Sequence, residues 1–471
     1  MSFLIYDLVL FGIFAILIIR FLYKNKKKVE KEGLLLLYKA GWGIKLINYV
    51  GKRYKKTLTV LSYVAITLGY FLMAGIIYLF GRLVWVYMLN PSLVKAMKIP
   101  PIMPLIPYLP QVFKLDFLPP FYFTYWILIL AVVAITHEFS HGIFMKRYGI
   151  KIKSTGFGFF PSFFPVFLAA FVEQEEKSML RASKFKQMAV LAAGTFANVV
   201  TGIFFFIITL AFFSLVFVPS GVQFNDYSYS IVNTTEITMI NGIGLVNPTM
   251  DELVPLSKNF TYNYIEVGDK EYVGIKGFSE DNLIVALYDS APAIKNNLTG
   301  AIIEINGNTV NSLETLTFEL EKYSPGETVN VLTMAQEGEK SFEIALEENP
   351  EKAGKSFIGI VTLNPQKTGI VDTLISKLTS FKDPNIYYES KMGDLGIFIY
   401  DLFWWMILIS ISVALVNMLP VGIFDGGRFF HLTIWGITRR EKIADKAFQF
   451  ITWIFLLAIA VLMFFWAKAL F

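Results

Sequence analysis

The chain has 471 residues, of which 55% are hydrophobic, 16% aromatic and only 17% charged, a profile outside that of soluble globular proteins, so most of it belongs in lipid. It has no cysteine, which excludes a disulfide framework and leaves histidine, carboxylate and water as ligands for any transition metal. The net charge of +5 gathers beside apolar segments, so it reads as membrane topology and not as a nucleic-acid surface.

Crossing a hydrocarbon core of about 30 Å takes roughly 20 helical residues. Apolar runs of that length fall near 3–23, 58–89, 121–145, 188–218, 396–419 and 444–470, which predicts six spans. The first run lacks a small-residue cleavage site and is followed by lysines, so a retained anchor is expected. Lys24, Lys26, Lys27, Lys28, Lys31, Lys52, Arg53, Lys55 and Lys56 place the loop between spans one and two in the cytoplasm by the positive-inside rule. Lys146, Arg147, Arg181, Lys184 and Lys186, and later Arg439, Arg440 and Lys442, agree with that orientation. Both termini and the hydrophilic region 220–394 then lie outside.

Residues 157–172 are apolar but too short to span, and Gly158, Pro161 and Pro165 argue against a plain helix. A membrane-dipping hairpin is expected there, with its backbone satisfied by protein or water. Region 220–394 carries turn signals and short alternating stretches such as 301–306 and 328–333, which predicts a mixed α/β domain. Its segment from Asp289 to Val310, with Ser290-Ala291-Pro292-Ala293, Leu298, Gly300 and Ile302 to Gly307, resembles a PDZ domain of bacterial envelope proteases. Such a domain binds an extended peptide on a strand edge; a purely structural or steric cap is the competing reading. The expected fold class is an α-helical polytopic membrane protein with an extracytoplasmic PDZ-like α/β domain. Its divisions are 1–120 with two spans, 121–219 as the first half of a membrane core, 220–394 as the PDZ-like region and 395–471 as the second half.

His137-Glu138-Phe139-Ser140-His141 is an H-E-x-x-H motif within the third span. A spacing of four puts both imidazoles on one helix face, where they can grip a metal beside the intervening glutamate. Ionisable residues are costly in a spanning helix and mark a functional site by default; polar pairing between helices is the bland alternative. A catalytic zinc takes three protein ligands and keeps one position open. Asp425 is the candidate third ligand, because Pro420 and the Gly426-Gly427 pair interrupt the helix near it. A loop aspartate at the membrane surface is its alternative. Depth supports a meeting: His137 lies nine residues before Lys146 and Asn198 twelve after Lys186, about 13 to 18 Å inside the cytoplasmic boundary.

Together with Asn417-Met418-Leu419-Pro420 leading to Asp425-Gly426, and Gly194-Thr195-Phe196-Ala197-Asn198 in the span between, these motifs resemble the site-2 protease family of intramembrane metalloproteases. The resemblance runs over roughly residues 120–440. It implies one zinc ion held by His137, His141 and Asp425, with Glu138 as the general base acting on a metal-activated water. It implies that Asn198 helps hold the substrate carbonyl or its oxyanion and that Asn417 contacts the substrate strand. Helix packing is the alternative for Gly194 and Asn198. The implied substrates are transmembrane proteins in the lipid bilayer, in some cases already trimmed by another protease. Gly427 is followed by Arg428 where many members have histidine, and His431 is taken as a non-ligand. Two rival functions stand beside proteolysis: a metal transporter or sensor, and an inactive homologue that only binds membrane clients. The orientation is tested with an epitope tag in region 220–394, which should be reachable from outside the cell and protected in inside-out vesicles; the reverse pattern contradicts it.

Overall fold

All six expected spans are helices in a computed structural model that describes residues 3–89, 103–115, 117–160, 166–257, 263–279, 283–335, 337–350, 352–363 and 380–470. The chain divides into two units, Met1–Phe212 with Ile397–Phe471, and Phe213–Gly396.

The first unit begins with α1 (Phe3–Lys24), strands β1 (Val29–Glu32) and β2 (Leu35–Ala40), the short α2 (Ile44–Arg53) and the long α3 (Lys55–Leu89). It continues with α4 (Phe123–Arg147), which carries H-E-x-x-H, the hairpin β3 (Ile152–Phe160) and β4 (Val166–Gln174), and α5 (Lys184–Val216). After the second unit come α6 (Asp394–Asn417), α7 (Asp425–Thr438) and α8 (Glu441–Leu470). Six of these helices are long and apolar enough to cross a membrane, which makes this a multi-pass membrane protein.

The ends of α4 are fixed by identifiable groups. At its C-terminus Gly149 adopts φ +76° and the amide of Ile150 donates to the Met145 carbonyl, the closing bond of a Schellman turn. At its N-terminus the acceptor comes from another helix. Asp7 of α1 is fully buried and takes the Phe123 amide at 2.7 Å, the Thr124 amide at 2.9 Å and the hydroxyls of Thr124 and Tyr108. A carboxylate at a helix N-terminus satisfies orphan amides and complements the helix dipole.

The packing brings α4, α5 and α6 close together. Ala189, Ala192 and Ala193 of α5 are fully buried beside Phe144 and Met145 of α4, in one cluster with Met418 and Phe429. Small side chains of this kind let helix backbones approach in a membrane, where no hydrophobic drive separates helix from lipid. Phe121, Tyr125, Ile129 and Val133 pack against Trp405, Met406 and Ile409 of α6. Trp405 donates its indole N–H to the Pro120 carbonyl, and Tyr125 its hydroxyl to Phe398.

The apolar segment 157–172 does form a hairpin, although Pro161 and Pro165 lie outside the described residues. It is also part of a larger sheet than the sequence announced. Strands β1 and β2, within the expected loop between spans one and two, extend it to four antiparallel strands in the order β1-β2-β3-β4. β4 is therefore an edge strand, and it packs along α4.

The second unit contains two six-stranded antiparallel sheets with short helices and further paired strands. One is built from 229–289. The other includes Phe217–Val222, Ala301–Ile305, Thr328–Ala335, Gly338–Ala345 and Ile386–Ser390, with a core of Val222, Leu298, Ile302, Val329, Val331 and Ile344. Its helix Leu313–Leu320 starts at a capping box between Ser312 and Thr315.

Asp7→Ala removes the acceptor shared by four donors, and a buried donor left unmatched costs about 1–3 kcal/mol. The variant should melt several degrees below wild type in detergent, with Asp7→Asn in between; equal melting temperatures of Asp7→Ala and wild type would show that the contact contributes nothing.

Candidate metal centre

Successive turns of α4 stack His137 above His141, with ring centroids 4.6 Å apart and Nε2 atoms 3.0 Å apart. Asp425, the first residue of α7, brings Oδ2 to 3.4 Å from His137 Nε2 and 3.2 Å from His141 Nε2. The turn that delivers it runs from Asn417 through Pro420. It closes tightly because Gly426 has no side chain: a Cβ there would strike the backbone of Met418 and Leu419. Both histidines are buried, while Glu138 and Asp425 are half-buried.

Each imidazole is held from behind by α5. His141 Nδ1 lies 2.7 Å from the Val190 carbonyl, which can only accept, so Nδ1 carries the proton and Nε2 presents its lone pair. His137 Nδ1 lies 3.0 Å from the side-chain amide of Asn198. The amide nitrogen faces the ring, while the fully buried Asn198 Oδ1 has no hydrogen-bond partner among the described residues. Turning the amide exchanges two groups of nearly the same shape, lets Oδ1 accept from Nδ1–H and frees the His137 Nε2 lone pair.

Two lone pairs and a carboxylate oxygen then face one point. Such a set is mutually repulsive unless a cation lies among them, and two imidazoles with a carboxylate form a typical zinc donor set. His137, Glu138 and His141 also offer one ligand atom each within 4.8 Å of one another. The donors present thus fit a divalent metal.

α5 makes room for this cluster at Gly194. A Cβ there would overlap the imidazoles of both His137 and His141. The sequence marked Gly194 as a motif or packing glycine; its observed contact is with the two imidazoles themselves.

A cavity of about 550 Å³ opens onto the cluster, and its walls include His137, Glu138, His141, Ala170, Val172, Asn417 and Asp425. Glu138 Oε2 accepts the main-chain N–H of Val172 at 2.9 Å, so the edge strand β4 holds the glutamate. Asn417 lies on the cavity wall. Asn198 does not take the place expected of an oxyanion donor. Its side chain lies beside His137 but points at the back of that ring and is fully buried. His431 lies elsewhere, with Nε2 2.8 Å from Asp445 Oδ1 of α8.

Sequence reasoning passed over Asp7, the Val190 carbonyl and the Val172 amide. Asp7 carried a usable signal, since a lone carboxylate in a spanning helix is rarely without a role. The other two are main-chain groups, which leave no trace in residue identity.

Comparison with known proteins places these features. The model of Peptidase family M50 matches residues 125–463. Zinc metalloprotease RasP of Shouchella clausii (strain KSM-K16) is 27% identical over 222 residues, a match covering 41% of this chain and 52% of the relative. The chain thus spans about half the length of that relative.

Gly194→Ala should push the two imidazoles out of register without replacing a titratable group. Elemental analysis of the purified variant should show bound metal reduced at least tenfold, and full metal content would mean that the close approach is unimportant.

Proposed function

The chain belongs to Peptidase family M50, the site-2 protease family, and from that premise we propose that it is a membrane-embedded zinc endopeptidase hydrolysing peptide bonds in or near transmembrane segments of membrane-protein substrates. The observation that carries this reading is the meeting of His137, His141 and Asp425 around one point, with Glu138 beside it on the same cavity wall.

In this reading His137, His141 and Asp425 hold one zinc ion. Zinc bound there supplies Lewis acidity, activating water near neutral pH and polarising the scissile carbonyl. Glu138 takes a proton from the attacking water and passes it to the leaving amine nitrogen as the C–N bond breaks, giving a carboxylic acid and an amine. Asn198 fixes the His137 tautomer, as the Val190 carbonyl does for His141, an outer-shell role that orients metal ligands. Asn417, on the cavity wall, contacts the substrate. A substrate helix hides its peptide bonds, so it unwinds and pairs as an extended strand with the free edge of β4. Helix-breaking residues in the substrate favour cleavage for that reason.

The basic residues at 24–56, 146–186 and 439–442 support an orientation with those loops in the cytoplasm and the second unit and both termini outside. Within that unit the segment Asp289 to Val310 and the strands at 301–305 and 328–345 are read as the PDZ-like module, which selects clients by their outer portions.

The test combines metal stoichiometry with turnover in detergent. Glu138→Gln should retain zinc while cleavage falls about 10²-fold to 10⁴-fold, the usual worth of a general base. Asp425→Asn should lower zinc and cleavage together, and His137→Ala or His141→Ala should do so more severely. His431→Ala should change neither. Zinc lost from His431→Ala but kept by Asp425→Asn would mean a different third ligand, and metal transport without cleavage would mean a different function.

A further inference from the structure

We propose that the main-chain N–H of Val172 is a positioning group for Glu138, and that by occupying this N–H Glu138 sets the register in which a substrate strand pairs with β4. The inference rests on the protease reading above.

β3 and β4 pair without a shift over Thr155↔Val172, Gly156↔Phe171, Phe157↔Ala170 and Gly158↔Ala169. In an antiparallel ladder, residues alternate between bonding across the pair and pointing their N–H and C=O away from it. The Val172 N–H goes to Glu138 Oε2 at 2.9 Å, so it is an outward group, on the free edge of the sheet. By the same alternation Phe171 bonds within the ladder and Ala170 points outward again. Ala170, Val172 and Glu138 line the same cavity as His137 and His141.

Two consequences follow from this placement. First, one oxygen of Glu138 is tied to the backbone, which removes side-chain freedom from the group that must move a proton and leaves the other oxygen for the reacting water. A glutamate on a helix has three rotatable bonds, and orienting such a group before reaction lowers the entropic part of the barrier. Second, an incoming strand finds the Ala170 N–H without an acceptor among the described residues and the Val172 N–H already taken. Pairing with β4 therefore stops at Ala170, and the peptide bond just beyond the last paired residue is the one delivered to Glu138. The strand that binds substrate thus also holds the base, so both are referred to a single rigid edge.

Removing one N–H tests this. Proline at 172 deletes the donor without disturbing the ladder, because an outward edge position tolerates it. An ester in place of the 171–172 peptide bond, introduced as the α-hydroxy analogue of valine, deletes the same N–H and leaves the side chain intact. Val172→Ala trims the side chain and keeps the N–H, and serves as the reference. With the full-length protein and a single-span substrate, the proline and ester forms should keep zinc and KM. Their kcat should fall about 10-fold to 10²-fold below that of Val172→Ala, part of the worth of a general base. Mass spectrometry should show cleavage spreading to neighbouring peptide bonds. Ala170→Pro should instead raise KM. A readout without metal or turnover is hydrogen exchange in chelator-treated protein: Glu138→Ala should speed exchange at Val172 about tenfold and leave Phe171 unchanged. If the proline form does not fold, the ester decides. An ester form with the kcat and single cut of the reference, or Val172 exchange indifferent to Glu138→Ala, overturns the proposal. Wild-type protein that cleaves no substrate in a chelator-sensitive way overturns the protease reading itself, and is told apart by the absence of any cut to redistribute.

Discussion

Two imidazole lone pairs and a carboxylate oxygen brought within 3.4 Å of one another, inside a bundle of apolar helices, are the constraint on which the rest of the molecule depends. Left alone, such groups repel and lose their hydration. On the proposed reading their arrangement is bearable because helix packing leaves them little freedom and a cation would satisfy all three. Alanines and Gly194 let α5 come close enough for the Val190 carbonyl and Asn198 to hold the rings from behind. Gly426 lets α7 start tightly enough to turn Asp425 inward. Asp7 anchors the start of the helix that carries both histidines.

The same economy of parts appears on the other side of the cluster. β4 is an edge strand of its sheet and several of its residues line the cavity, whereas soluble proteins usually cover such an edge. Here the open edge is where an extended substrate is proposed to add. One of its amides is already engaged by Glu138, so the binding surface and the proposed base are a single mechanical unit.

Much of this was legible in the sequence, for physical reasons. Spanning helices announce themselves because lipid demands long apolar runs, and the candidate ligands stand out because ionisable residues are costly there. The position of Asp425 could be inferred from Pro420 and the paired glycines, since a broken helix is what turns a side chain inward. The four-stranded sheet was not legible: β2 finds its partner β3 more than a hundred residues away, and the alternation in 29–40 is too short to distinguish a strand from a charged loop. Asn198 shows a different limit. Residue spacing put it at a depth where it could meet His137, and the two side chains do lie 3.0 Å apart, but depth alone does not say which side of an imidazole a side chain approaches.

The central claim is that His137, His141 and Asp425 together hold one metal ion. X-ray absorption at the zinc edge of the purified, full-length protein tests it most directly. The account predicts one zinc per chain, two imidazole nitrogens at about 2.0–2.1 Å, the remaining ligands oxygen, and loss of the imidazole signal in a His137→Ala, His141→Ala double variant. Zinc bound substoichiometrically, or at full occupancy with only oxygen neighbours, would contradict it.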